Sequence, residues 1–341
     1  MRHDGNYRSV RLAVLGPALM ALCWLGLSCY SVPTAHVEEV TSRTFEFHYL
    51  ATVPDVPESS ETAYLWLPYP PDNKDQTIHD LQVKGPFPYE VVSEPKHGNR
   101  AIRFELPPGT QGDEVELSFQ VERRERVHRP GQYATTYQPS VEEDPGIWLL
   151  PDRRIPLDDR IRELARATVD GRETPLDKAK AIYDHAVANL KYDKTGTGWG
   201  KGDIYWACDA KYGNCTDFHS LFIGFARSEG IPARFEMGFP IPPDRGEGEV
   251  SGYHCWAQFY LDGQGWIPLD ASEANKHPEK REYFWGAHDE NRVLFTFGRD
   301  LTFPGMQANP LNFFIYPYAE VDGVPKNDLK RRFTYRDVEA S

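Results

Sequence analysis

The run Tyr212-Gly213-Asn214-Cys215-Thr216-Asp217-Phe218-His219-Ser220-Leu221-Phe222 leaves the chain few ways to fold at that point. A glycine turn comes first. Phe218, Leu221, Phe222, Phe225 and Ala226 then recur at helical spacing until Gly230-Ile231-Pro232 stops the helix. Cys215 therefore falls in the first turn of an amphipathic helix. Unpaired backbone N–H groups and the helix dipole favour negative charge at that end, and both lower a thiol pKa from roughly 8.5 toward neutrality. The same amides, that of Cys215 first, can donate to the oxyanion of a tetrahedral intermediate.

Downstream, Gly252 to Tyr260 reads as a strand on which His254, Trp256, Gln258 and Tyr260 share one face and Tyr253, Cys255, Ala257 and Phe259 the other. Asp262-Gly263-Gln264-Gly265 reverses the chain, and Trp266 to Asp270 returns. A hairpin folded about residue 262 sets Asp270 directly opposite His254, within about 5 Å. A carboxylate at that distance fixes the tautomer of an imidazole. Cys215, His254 and Asp270 thus read as nucleophile, base and orienter. Asp217 and His219 read as capping and packing residues of the Cys215 helix. Cys255, pointing away from His254, is left out of the catalytic set.

Four segments resemble, in order, the transglutaminase-like superfamily of papain-fold cysteine enzymes. They are Ala179-Ile182-Tyr183 through Leu190-Lys191-Tyr192-Asp193; Gly213-Asn214-Cys215-Thr216-Asp217; Gly230-Ile231-Pro232-Ala233-Arg234; and Tyr253-His254-Cys255-Trp256 with Trp266-Ile267-Pro268-Leu269-Asp270. The resemblance runs from Thr174 to about Leu301. It implies an α+β, papain-like core and acyl transfer at amide bonds of peptides or proteins, without a cofactor. It also implies a second oxyanion donor upstream of the cysteine, for which Trp206 and Tyr205 are the candidates. Nothing in the sequence suggests a dedicated amine site, and the resembled bacterial members are often hydrolytic, so a protease or amidase is expected. The alternatives are a protein-crosslinking transglutaminase and a catalytically idle module that binds peptide or envelope polymer in the same groove.

Ahead of this region, Thr44-Phe45-Glu46-Phe47-His48-Tyr49 and Glu114 to Glu122 alternate apolar and polar residues, with Pro- and Gly-rich breaks between short runs. That pattern predicts a β-sandwich over 36–128, which carries no clustered acid, base or nucleophile. An irregular crossing over 129–157 follows, then the catalytic domain over 158–303. Its first helices run from Asp158 to Val169 and onward from the capping-box start Thr174-Pro175-Leu176-Asp177. The Gly- and aromatic-rich stretch 194–213 predicts a flexible wall of the cleft, and 240–252 a mobile loop beside it. The tail, 304–341, predicts a hairpin of 312–316 with 332–335 joined through Asp322-Gly323.

Residues 1–31 open with Arg2, Arg8 and Arg11 and continue with 16 uncharged residues, Leu12 to Leu27, before Ser28-Cys29. A membrane span needs about 20 apolar residues, so this is a secretory signal. Export to the periplasm or medium is expected. Leu25-Gly26-Leu27-Ser28-Cys29 resembles a lipoprotein cleavage box, which leaves attachment to the envelope through a lipidated Cys29 equally open. Without the leader the chain has 35 Lys+Arg against 50 Asp+Glu, a net charge of −15. That sign repels phosphate backbones, so nucleic acid is not an expected partner. Cys208, Cys215 and Cys255 remain, with a Cys208–Cys255 bridge and buried free thiols both open. No C-x-x-C or H-x-x-x-H pair occurs, so no metal site is expected.

Overall fold

The computed structural model describes residues 40–131 and 144–338. The expected leader and Cys29 lie outside them, as does part of the crossing.

Alternation along Ser42–Thr52 and Glu114–Arg124 does what period-two patterning dictates. Phe45, Phe47, Tyr49, Val115, Leu117, Phe119 and Val121 are buried, while the residues between them reach the surface. The two strands pair antiparallel with Phe47 opposite Phe119. They are the centre of a five-stranded sheet ordered 247–249, 331–337, 42–52, 114–124, 76–84. A second five-stranded sheet runs 324–326, 318–321, 63–69, 100–105, 89–93. The C-terminal stretch contributes to both sheets. Asp322-Gly323 does make a turn, but it joins Tyr318–Val321 to Val324–Lys326, and Arg331–Asp337 pairs instead with Ser42–Thr52.

The half that carries Cys215 is built on a four-stranded antiparallel sheet of β1 (Ala233–Pro240), β2 (His254–Leu261), β3 (Gly265–Leu269) and β4 (Arg292–Phe297), ordered β3-β2-β1-β4. Its helices are α1 (Asp159–Thr168), α2 (Pro175–Asn189), α3 (Ile204–Ala210), α4 (Cys215–Ser228) and α5 (Ala271–Lys276). Asp158 and Thr174 cap α1 and α2 through their side chains, and Pro175 opens α2, as the local signals require. The expected one-faced helix after Cys215 is instead buried on every side from Cys215 to Arg227. It packs against α1, α2, α3 and β2, so its polar residues need internal partners. Ser220 Oγ finds Gly202 O at 2.8 Å and Thr216 O at 2.6 Å.

Phe47 joins the sandwich to the four-stranded sheet, with ring centroids 5.3 Å from Phe239 and 5.9 Å from Phe295. Tyr49 and Phe239 meet Phe333 from the C-terminal strand at 4.6 and 4.4 Å. Such aromatic pairs each add roughly 0.5–1.5 kcal/mol beyond area burial. Among the described residues, no helix is long and apolar enough to cross a membrane.

Candidate active site

Cys215 is the first residue of α4 and is 2% exposed. Asn214 caps the helix, its Oδ1 accepting from Thr216 N at 3.0 Å, while Asp217 Oδ2 accepts from Asn214 N at 3.0 Å. Asp217 also receives Gly200 N at 2.7 Å and Gly202 N at 3.1 Å. The stretch expected to be a flexible cleft wall is therefore fastened to the helix that carries the thiol, and it contains a helix of its own, α3. Gly202 has φ +58°, and a Cβ there would lie 1.9 Å from Arg299 Nη2. Only glycine permits that approach.

His254 opens β2, and its Nε2 lies 2.7 Å from Asp270 Oδ2. Its imidazole also interacts with the Cys215 thiol. The three residues expected as nucleophile, base and orienter are thus neighbours, though the ladder is not the one expected. Ala257 pairs with Leu269 and Leu261 with Gly265, which centres the hairpin on Gly263 and ends the ladder one residue short of Asp270. The hairpin turns one residue later than the sequence suggests. A two-residue displacement keeps His254 and Asp270 on one face, and Asp270, which leaves the strand to cap α5, reaches His254 from the diagonal position. Its Oδ1 takes Ser272 Oγ at 2.9 Å and Glu273 N at 3.0 Å.

Burial alone would push the Cys215 thiol up, yet hydrogen bonds from Cys255 and His254 and the imidazole charge hold it well below its ordinary value. Burial opposes a charged His254 too, but the Asp270 carboxylate and the sulfur raise its pKa to about 10. Asp270 is held well below the usual carboxylate range against its burial, by His254 first and also by Arg292. The arrangement favours a thiolate–imidazolium pair at neutral pH. Cys208 lacks such partners, and burial pushes it up to about 11. The three described cysteines are free thiols, so no bridge joins Cys208 to Cys255.

The two expected oxyanion donors hold other partners. Trp206 Nε1 donates to Tyr212 O at 3.1 Å, and the Tyr205 hydroxyl bonds the Asp158 carboxylate. Sequence reasoning also passed over two residues. Cys255 comes beside Cys215 and His219, with Sγ 3.7 Å from His219 Nδ1, because its face of β2, where Phe259 meets Phe222 at 6.0 Å, is the one that packs on α4. Arg292, at the start of β4, places Nη1 3.3 Å from Asp270 Oδ2 and lies 4.7 Å over the Trp256 ring. Nothing local distinguishes Arg292 from any arginine that begins a strand; its role follows from the pairing of β1 with β4.

A groove of about 690 Å³ opens beside His254, lined by Pro240–Pro243 and Val250 on one side and by Glu273, Lys276, Tyr283 and Phe284 on the other. The expected mobile loop is tied down. Arg43 Nη1 donates to Pro242 O at 2.6 Å, and Glu247–Glu249 adds to the sandwich sheet. His254, Asp270 and Glu273 bring potential metal-ligand atoms within 4.8 Å of one another. Both carboxylates already face cations, Asp270 with Arg292 and Glu273 with Lys276, which removes the excess negative charge that a divalent ion needs.

Residues 162–271 match the family model described as the Transglutaminase-like superfamily, so the chain carries a transglutaminase-like domain. The match runs from within α1 to the first residue of α5 and thus includes Cys215, His254 and Asp270. An uncharacterized protein of Haemophilus influenzae is 28% identical over 320 residues, covering 82% of this chain and 87% of that protein. The uncharacterized protein YebA of Bacillus subtilis is 23% identical over 219 residues, covering 56% of this chain but only 29% of its own length. Among solved structures, one from Cytophaga hutchinsonii, described as a "Putative Cysteine Protease", has a TM-score of 0.60 at 19% identity, covering 88% of this chain and 92% of its own. That likeness is one of fold.

Proposed function

We propose that this protein is an exported cysteine-dependent acyl-transfer enzyme that hydrolyses amide bonds in peptide or protein substrates. One observation carries the reading: Cys215, the first residue of α4, interacts with His254, whose Nε2 lies 2.7 Å from the buried Asp270 carboxylate. In this reading the Cys215 thiolate attacks the amide carbon and forms an S–C bond. The Cys215 amide, at the open end of α4, donates to the oxyanion. Collapse of the intermediate breaks the C–N bond as imidazolium His254 gives its proton to the departing amine, leaving an acyl-thioester. His254, now neutral, takes a proton from water, the resulting attack releases the carboxylic acid, and the thiolate–imidazolium pair is restored. Asp270 holds His254 with one nitrogen toward itself and the other toward sulfur. The groove beside His254 gives the amine an exit and water a route in. Export rests on the basic and apolar pattern of residues 2–27.

The experiment is alkylation of the protein with iodoacetamide across pH, with the modified cysteines mapped by mass. Cys215 should react with a midpoint well below 8.5, and His254→Ala should raise that midpoint. A midpoint near 8.5 in the wild type, unchanged by His254→Ala, refutes the nucleophile assignment.

A further inference from the structure

His219 stands one turn beyond Cys215 on α4 and is fully buried. Its Nδ1 lies 2.8 Å from Cys215 O, and its Nε2 lies 3.2 Å from the N–H of Ala271, the residue after Asp270. A peptide N–H can only donate and a carbonyl can only accept, so Nε2 must carry the lone pair and Nδ1 the proton. One imidazole therefore bridges the peptide of the cysteine and the peptide that follows the aspartate, two points far apart in sequence. We propose that His219 is a positioning residue, a neutral cross-brace that sets the start of α4 against the start of α5 and so holds Cys215 and Asp270 at the spacing that His254 spans. This rests on the reading of Cys215 as nucleophile.

The surroundings agree with a neutral ring. His219 faces Cys215 on its own helix, His254 and Cys255 from β2, the last with Sγ 3.7 Å from Nδ1, and Asp270, with Oδ1 3.6 Å from Nε2. Burial lowers its pKa despite the Asp270 charge. Protonation would turn Nε2–H against the Ala271 N–H, donor against donor, and leave that buried amide without an acceptor. The ring also adds a second brace to an aspartate whose Oδ2 is already shared between His254 and Arg292. The hairpin of β2 and β3 fixes Asp270 relative to His254. β2 packs on α4 through Phe259 and Phe222, two turns into the helix, whereas His219 links the helix start directly to the residue after Asp270, and that is the spacing on which thiolate–imidazolium pairing depends.

Three substitutions test this. His219→Leu removes both polar links at similar bulk; His219→Gln can reach Ala271 N through its longer amide; His219→Asn reaches only toward Cys215 O. Each is compared with wild type in the pH midpoint for alkylation of Cys215 by iodoacetamide, in kcat and KM on a peptide amide, and in thermal melting. His219→Leu should raise the midpoint toward 8.5 and lower kcat on the order of 100-fold with KM little changed, the loss expected when reacting groups are displaced by about 1 Å. His219→Gln should recover much of both and His219→Asn less. If His219→Leu melts earlier yet keeps the wild-type midpoint and kcat, His219 is a packing residue and the proposal fails. If His219→Leu does not fold, equal midpoints and kcat in His219→Gln and His219→Asn overturn it. A wild-type midpoint near 8.5 would instead refute the nucleophile reading itself, so the two failures are distinguishable.

Discussion

Replacing Asp270 by Asn isolates the electrostatic part of the site, because most of what Asp270 does for the fold survives the change. Asn caps helices as well as Asp does, and its Oδ1 can still receive Ser272 Oγ and Glu273 N, the two donors that Asp270 Oδ1 holds at 2.9 and 3.0 Å. The other oxygen becomes an NH2 group facing His254 Nε2 and Arg292. Nε2 must then accept instead of donating, which puts the imidazole proton on the nitrogen facing sulfur. The charge is lost as well. His254 has a pKa of about 10 against an ordinary 6.5, a difference equivalent to on the order of 5 kcal/mol, and the carboxylate is the first of its supports. Without it the thiolate–imidazolium pair is no longer the ground state at neutral pH. Turnover should fall on the order of 10³- to 10⁴-fold, in line with the wrong-tautomer effect in other triads. Cys215 alkylation should shift toward a midpoint of 8.5. The assay is iodoacetamide reactivity against pH, with turnover of a peptide amide and a melting curve for each variant. A folded Asp270→Asn protein that keeps the wild-type midpoint and turnover would refute the reasoning, and Asp270 would then be an N-cap and nothing more.

Five further outcomes are expected. Cys208, pushed up to about 11 by burial, should stay unmodified at pH 7 while Cys215 reacts, and Cys208→Ala should leave activity unchanged; mass mapping reads both. Turnover should decline above about pH 10, where His254 loses the proton that the leaving amine needs, and a pH–rate profile checks it. Asp270 is held below its ordinary 3.8, so its contribution to stability is present above that value and disappears as pH falls below it; urea unfolding at stepped pH should show a shallower acid decline in Asp270→Asn. Gly202→Ala should cost roughly 2–3 kcal/mol, read as a drop of several degrees in melting temperature, because a left-handed backbone and the Arg299 guanidinium both oppose a Cβ there. The mature protein from its native host should lack residues 1 to about 28, with a diacylated Cys29 deciding for the lipoprotein form; an intact N-terminus found in the cytoplasm would refute export.

The sequence alone determined whatever depends on local periodicity and local punctuation. Glycine, asparagine and aspartate around Cys215 specify a capped helix start. Strict alternation specifies the faces of the strands at 42–52 and 114–124, and Thr174-Pro175 specifies where α2 begins. These signals act over a few residues, within reach of the residues that carry them. The parity of the His254–Asp270 relation was also legible, because side chains alternate with period two whatever the exact register. The register itself was not. The chain turns about Gly263, with Gly263 and Gly265 both at positive φ, and Asp270 meets His254 only by leaving the strand. Tertiary structure also decided that α4 is buried on all sides, since an amphipathic pattern shows one apolar face and cannot show what its polar residues will find as partners. Ser220, Asp217 and His219 are satisfied by the 200–202 loop and the start of α5, neither of which adjoins them in sequence. The same holds for the C-terminal strands, whose composition predicts strands but not that they complete sheets begun roughly 250 to 290 residues earlier. Arg292 is the plainest case. Its charge was visible in the sequence, and its partner Asp270 came from the packing of four strands.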